Sequence, residues 1–202
     1  MVQILGNSAS SAIVWLLDSR HSDAQLRADW LSGGEAVRYA GFLRPERQRQ
    51  YVLGRVLARQ AIGALLGIDA RSVVLDGGAG RAPIMTTPVV PTLSFSISHS
   101  RHWIACAVSG DTAVGLDIEV RDAGRDVLAL AEHGFSSQQF EAIRRLAPDE
   151  RLDGFYALWC AQEAQIKLGG QGRFCLQLDH PELAVALCSA HKLDRVNIEL
   201  SG

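Results

Sequence analysis

Three apolar-rich stretches, 93–100 (LSFSISHS), 102–109 (HWIACAVS) and 113–120 (AVGLDIEV), follow one another with only short turns between them, turns that contain Ser-Arg and Gly-Asp. Runs of this length bounded by turn residues predict consecutive strands in an antiparallel meander. Similar runs at 12–18, 72–76, 183–189 and 194–200 predict four further strands. Between these lie segments of longer period. Residues 22–42 predict one or two short helices broken at Gly33 and Gly34, and 45–66 predict a long helix. Pro45 suits the first position of that helix and Gly67 the residue just past its end. Arg47, Arg55 and Arg59 fall within about a third of its circumference, opposite Leu53, Val56, Leu57, Ala61 and Ala64. The Gly/Pro-rich 77–91 reads as a loop, and 125–135, 136–147 (N-capped by Ser136) and 153–170 read as helices.

Strands and helices in this order fit an α+β fold better than an alternating parallel one. A boundary near residues 109–112 divides the chain into lobes of similar content, 1–110 and 111–202, with most of the notable arginines in the first. At 202 residues and 48% apolar composition, there is enough material for a sizeable core. The net charge of −2 leaves no global nucleic-acid footprint, so any anion site must be local. Cys106, Cys160, Cys175 and Cys188 have no metal-finger spacing, which points to reduced thiols. The first 18 residues lack the basic and apolar regions of a secretory signal, and no stretch reaches membrane-span length. The expectation is a cytoplasmic protein that binds neither membrane nor nucleic acid.

Within AVGLDIEV, period two puts Val114, Leu116, Ile118 and Val120 on one face and Gly115, Asp117 and Glu119 on the other. Two carboxylates at that spacing either face water on a half-buried strand or repel each other across a bound cation; magnesium favours such oxygen ligands. Ser98-His99-Ser100 ends another strand, where hydroxyls and an imidazole can meet a phosphate, or can form only a turn. A serine hydrolase is excluded by the absence of a GxSxG elbow. On the last long helix Trp159, Glu163 and Lys167 recur every four residues and share a face. They read either as a core anchor beside a solvated ion pair or as part of a site preceding the flexible Gly169-Gly170-Gln171-Gly172.

In combination, SISHS, then VGLDIE, then WCAQEAQIK about forty residues further on resembles the 4'-phosphopantetheinyl transferase superfamily, in its longer single-chain form, over residues 35–181. The resemblance implies a pseudo-dimer of two similar α/β lobes with coenzyme A between them. It implies that Asp117, Glu119 and Glu163 bind magnesium, with manganese as an alternative, and that Glu163, Lys167 and Asp117 carry catalysis, Glu163 as the base. It places Ser98, His99 and Lys167 on the phosphates and pantetheine side, Arg81 at the nucleotide end, and Arg38 and Arg44 near the 3'-phosphate. The implied partner is an apo acyl or peptidyl carrier protein, bound transiently by a monomer. Gln162 stands where the family has lysine, which keeps open a noncatalytic coenzyme A or carrier-binding relic; a metal-dependent nucleotide pyrophosphohydrolase is the third reading.

Overall fold

The structure is a computed structural model that describes residues 10–23, 26–77, 82–170 and 172–201. Its strands are β1 (Ser11–Asp18), β2 (Val74–Asp76), β3 (Ile84–Thr87), β4 (Ser94–Ser100), β5 (Trp103–Ser109), β6 (Val114–Val120), β7 (Phe174–Leu178), β8 (Leu183–Ser189) and β9 (Arg195–Ser201). Its α-helices are α1 (Gly33–Ala40), α2 (Pro45–Leu66), α3 (Val127–Gly134), α4 (Ser137–Arg145) and α5 (Arg151–Lys167). One sheet has the order β4-β5-β1-β9, another the order β6-β8-β7, and β2 and β3 form a separate hairpin.

The sheets pack face to face. Ala12, Val14 and Leu16 of β1 and Trp103, Ala105 and Ala107 of β5 join Leu116, Ile118, Leu183, Val185 and Leu187 in one buried cluster. The alternate residues of the same strands face outward onto helices. Leu17, Ile104, Cys106 and Val108 pack with Leu53, Leu57 and Ala61 of α2, while Ala184, Ala186 and Cys188 pack with Phe155, Cys160 and Ala164 of α5. Strands β5 and β8 are therefore buried on both faces and β1 on one face with the other half-buried, which is why their sequences read as continuous apolar runs. The result is a helix-sheet-sheet-helix stack, an α+β arrangement in which each sheet carries its own long helix.

Several expectations are corrected. Strand β6 does not extend the β4-β5 meander; it starts the second sheet, pairing with β8 from Val114↔Ser189 to Val120↔Leu183. Strand β9 returns to the first sheet and lies parallel to β1, because β5 covers only one edge of β1. Gly33 and Gly34 open α1 instead of breaking it: Ser32 and Glu35 form a capping box, Ser32 Oγ accepting from Glu35 N and Glu35 Oε2 accepting from Ser32 N. Strand β3 lies inside the expected loop, and β7 had too little polar alternation to be read.

The arginine stripe of α2 divides: Arg47 is exposed, whereas Arg55 and Arg59 are not on a solvated face. Arg55 and Arg59 are buried against the fully buried Glu35, at 3.2 Å and 2.5 Å. Arg59 Nε also donates to Val73 O. One carboxylate thus caps α1 and offsets two buried guanidinium groups. The expected reduced state holds for Cys106 and Cys160, which are free and buried, but Cys175 and Cys188, directly opposite on β7 and β8, form a disulfide.

Gly115 fixes how closely α5 approaches β6. A Cβ there would lie 2.1 Å from Ala164 O and 2.9 Å from Leu168 N, both backbone atoms. Gly115→Ala is expected to destabilise the protein by about 3 kcal/mol, the upper range for overpacking a buried contact, measured by denaturant unfolding. Glu35→Ala leaves two buried arginines without their counter-charge and is expected to cost roughly 3–5 kcal/mol in the same measurement.

Candidate functional site

Strand β6 has one edge bonded to β8 and the other turned to β4. There its amides find side chains instead of a backbone ladder: the Oγ atoms of Ser94, Ser96, Ser98 and Ser100 accept from the N–H groups of Val114, Leu116, Ile118 and Val120, at 3.0 to 3.3 Å. This seam brings the carboxylates of β6 against the end of β4. Ser98 Oγ donates to Asp117 Oδ1 at 2.8 Å, and Ser100 Oγ donates to Glu119 Oε2 at 2.6 Å. Asp117 and Glu119 therefore do share a face, as the alternation required, but that face lies against protein and not in bulk water.

Helix α5 adds the cation. Lys167 Nζ lies 2.7 Å from Asp117 Oδ1, 2.9 Å from Ser98 Oγ and 3.0 Å from Leu116 O. All three ammonium protons are used, so Lys167 is tied to β6 and β4 and is not the solvated partner of Glu163. Glu163 sits one turn earlier on α5 and is half-buried. Trp159, a further turn back, stacks on Phe155 at 5.9 Å between centroids.

Charge at this point favours a cation. Asp117 is buried, and among the described residues its Oδ2 has no hydrogen-bond partner. Burial pushes the Glu119 carboxyl up from its ordinary range, and the neighbouring Asp117 charge pushes the same way. An unpaired buried carboxylate oxygen beside a second acid is costly in an apolar setting, and an oxygen-preferring divalent ion fits that donor pair. Glu163 is not gathered with them: among the described residues, no group of three or more His, Cys, Asp or Glu side chains converges as a ready metal site.

His99, between the two serines, points to a different environment. Arg47 Nη1 lies 3.1 Å from His99 Nε2, which makes that nitrogen the acceptor and leaves any ring proton on Nδ1. Desolvation of the ring's inner side lowers the His99 pKa, helped by the charges of Arg47 and Lys167, while the side chain as a whole keeps an exposed edge. Arg47 and His99 border a cavity of about 190 Å³ with Arg38, Phe42, Tyr51 and Arg55. The Arg38 and Arg55 guanidinium groups lie 5.7 Å and 4.9 Å from the Tyr51 ring centroid. The cavity is polybasic, and its wall residue His99, on the opposite face of β4 from Ser98 and Ser100, still lies close enough to feel the charges of Lys167 and Asp117.

The structure thus gathers Asp117, Glu119, Ser98 and Lys167 at one point and His99 and Arg38 at the cavity across β4. Arg44 is exposed at the N-terminal end of α2, outside that lining. Arg81 lies outside the described residues. Sequence reasoning took the Ser100 hydroxyl only as one that can meet a phosphate, not as a partner of Glu119, and gave Arg47 no individual role. The signal for Ser100 was present in the repeat of serine at 94, 96, 98 and 100; the signal for Arg47 required knowing which face of α2 meets β4.

Two family models match consecutive parts of the chain. Residues 113–192 match the 4'-phosphopantetheinyl transferase superfamily, and residues 43–109 match the 4'-phosphopantetheinyl transferase N-terminal domain. The chain is 30% identical over 178 residues to 4'-phosphopantetheinyl transferase HetI of Nostoc sp., covering 88% of this chain and 74% of that protein. It is 30% identical over 182 residues to 4'-phosphopantetheinyl transferase Sfp of Bacillus subtilis, covering 84% and 76%. A third relative, a 4'-phosphopantetheinyl transferase of Bacillus subtilis, is 31% identical over 131 residues, 65% of this chain and 56% of the relative.

The His99 geometry predicts a pH signature. A lowered midpoint means that the neutral ring contributes stability above the ordinary histidine pKa, and that this contribution is lost as pH falls through the lowered value. NMR titration of the His99 ring is expected to give a midpoint below that of a free imidazole. In Arg47→Ala the midpoint should rise while staying below the free value, because desolvation is the larger cause.

Proposed function

The chain belongs to the 4'-phosphopantetheinyl transferase superfamily, and we propose that it transfers the 4'-phosphopantetheine arm of coenzyme A to a serine of an apo acyl or peptidyl carrier protein. The observation that carries this reading is the Lys167–Asp117–Ser98 junction, whose charges reach His99 on the wall of the basic cavity of Arg38 and Arg47 across β4. A pyrophosphate needs positive charge along its length and a polar, partly dry place at the phosphorus that reacts. Both are present here.

In the transfer, the carrier serine Oγ forms a bond to the phosphorus that bears pantetheine, and the P–O bond to adenosine 3',5'-bisphosphate breaks. We assign the serine proton to Glu163, directly or through a water, because that carboxylate lies on the same face of α5 as Lys167, one turn away. Lys167 brings a fixed positive charge to the reacting phosphate while its bond to Asp117 holds α5 to β6. His99, kept neutral and oriented by Arg47, can donate from Nδ1 to a phosphate or pantetheine oxygen. Arg38 and Arg47 are assigned to the nucleotide phosphates, with Arg44 and Arg81 as outer contributors. Asp117 and Glu119 are the proposed ligands of a divalent cation, magnesium or manganese, which when bound would neutralise charge on the pyrophosphate; Glu163, which does not converge with them, keeps the role of base.

We place the activity in the cytoplasm and in a monomer, since lobes 1–110 and 111–202 between them supply the basic cavity and the carboxylates. Among the described residues no helix is long and apolar enough to cross a membrane. Gln162, half-buried beside Glu163, supports a second reading, a protein that binds coenzyme A or carrier without transfer.

Intact-mass spectrometry separates the two. An apo carrier protein incubated with this protein, coenzyme A and magnesium is expected to gain one phosphopantetheine arm. Glu163→Ala and Lys167→Ala are each expected to slow that gain by roughly 10²-fold or more. No gain on either an acyl or a peptidyl carrier, with coenzyme A still bound, establishes the binding protein instead.

A further inference from the structure

Four alternate serines on one strand are more than a strand needs. Their hydroxyls satisfy the free amide edge of β6, an edge that otherwise invites pairing with another chain. The four rungs are nevertheless of two kinds. Among the described residues, Ser94 and Ser96 make the amide contact and touch no carboxylate, whereas Ser98 and Ser100 accept from the amide and also donate their own proton to the acid next to that amide in the chain. Ser100 accepts from Val120 N at 3.0 Å and donates to Glu119 Oε2 at 2.6 Å. Ser98 has its full complement, donating to Asp117 and accepting from Ile118 N and Lys167 Nζ.

We propose that Ser100 is a positioning residue that holds Glu119 in the orientation needed to bind a divalent cation with Asp117. The inference rests on the transferase reading only for the identity of the substrate; the positioning itself is a property of the carboxylate pair. An isolated glutamate on a strand samples several side-chain rotamers. Here a short hydrogen bond to one oxygen, from a hydroxyl itself anchored by Val120 N, selects one of them and leaves the other oxygen for a ligand. Partners that orient a metal's carboxylate ligands typically change affinity or activity by about 10–100-fold when removed. Because Ser100 and Val120 N lie on different sheets, the orientation of Glu119 is also tied to the docking of one sheet on the other.

The test is Mn²⁺ binding to the full-length protein, followed by electron paramagnetic resonance with and without coenzyme A, together with the magnesium concentration giving half-maximal transfer. Ser96→Ala is the control, since it removes a rung of the same kind that touches no acid. Ser100→Ala is expected to weaken Mn²⁺ binding and raise the magnesium half-saturation by about tenfold. Ser100→Thr, which restores the hydroxyl, should return both to near the original values. Ser96→Ala should lower the melting temperature with the metal constants unchanged. If Ser100→Ala does not fold, Ser100→Cys keeps the volume with a weak donor and carries the same expectation.

Equal metal constants for Ser100→Ala and Ser96→Ala overturn the proposal while leaving the transferase reading intact. Conversely, a protein that binds Mn²⁺ in a Ser100-dependent way but never modifies a carrier sinks the transferase reading and supports the positioning role. Original protein that binds no Mn²⁺ under either condition overturns the positioning role outright.

Discussion

The seam between β4 and β6 is the constraint on which the site depends. Strand β6 cannot bond two neighbours, because β8 takes one edge and the first sheet meets the other at its face. Four serine hydroxyls stand in for a missing strand. A net hydrogen bond is worth about 1 kcal/mol, but a buried amide left without a partner costs about 1–3 kcal/mol, so the seam is compelled less by what it adds than by what its absence would cost. Its spacing also sets the register of the halves. Serine side chains two residues apart meet amides two residues apart, and a slip of one residue would turn Asp117 and Glu119 into the apolar interior.

Two sets of charges sit within this frame and are treated in opposite ways. Glu35, Arg55 and Arg59 are buried and matched to one another, with the carboxylate also capping α1. Their task is architectural: they join α1 to α2 and hold the basic cavity's wall in place. At the carboxylate pair the balance is left open. Lys167 answers one oxygen of Asp117, the other oxygen is unpaired among the described residues, and Glu119 is pushed toward its neutral form. A fold that satisfies its buried charges elsewhere leaves them unsatisfied where a ligand completes them.

The backbone makes the same distinction. Gly115 lets the end of α5 come into contact with β6, and that approach delivers Lys167 to Asp117 across the strand. Cys160, buried behind the pair on the same helix, has its thiol pushed up strongly by burial and by the two acids, so it serves as packing and not as a nucleophile. The cavity that His99 borders is lined mainly by residues of α1, α2 and β4, and its charged lining is cationic, from Arg38, Arg47 and Arg55.

Much of this was legible in the chain. Period two placed Asp117 and Glu119 on one face, Pro45 and Gly67 bounded α2, Ser136 capped α4, and the order of SISHS, VGLDIE and WCAQEAQIK pointed to the family. These are local properties, decided by spacing, caps and the direction of successive side chains. The fate of each polar group was not local. Arg55 and Arg59 shared a helix face whose partner, Glu35, came from another helix; for Lys167 an ion pair with Glu163 and a place in a site both stood open until β6 offered Asp117; and β6 read as a third meander strand until β8 claimed its edge. Sequence by itself determined which residues could face the same way; only the tertiary structure decided what they faced, because burial and counter-charge come from segments far apart in the chain and a side chain's energy depends on the neighbour that folding brings to it.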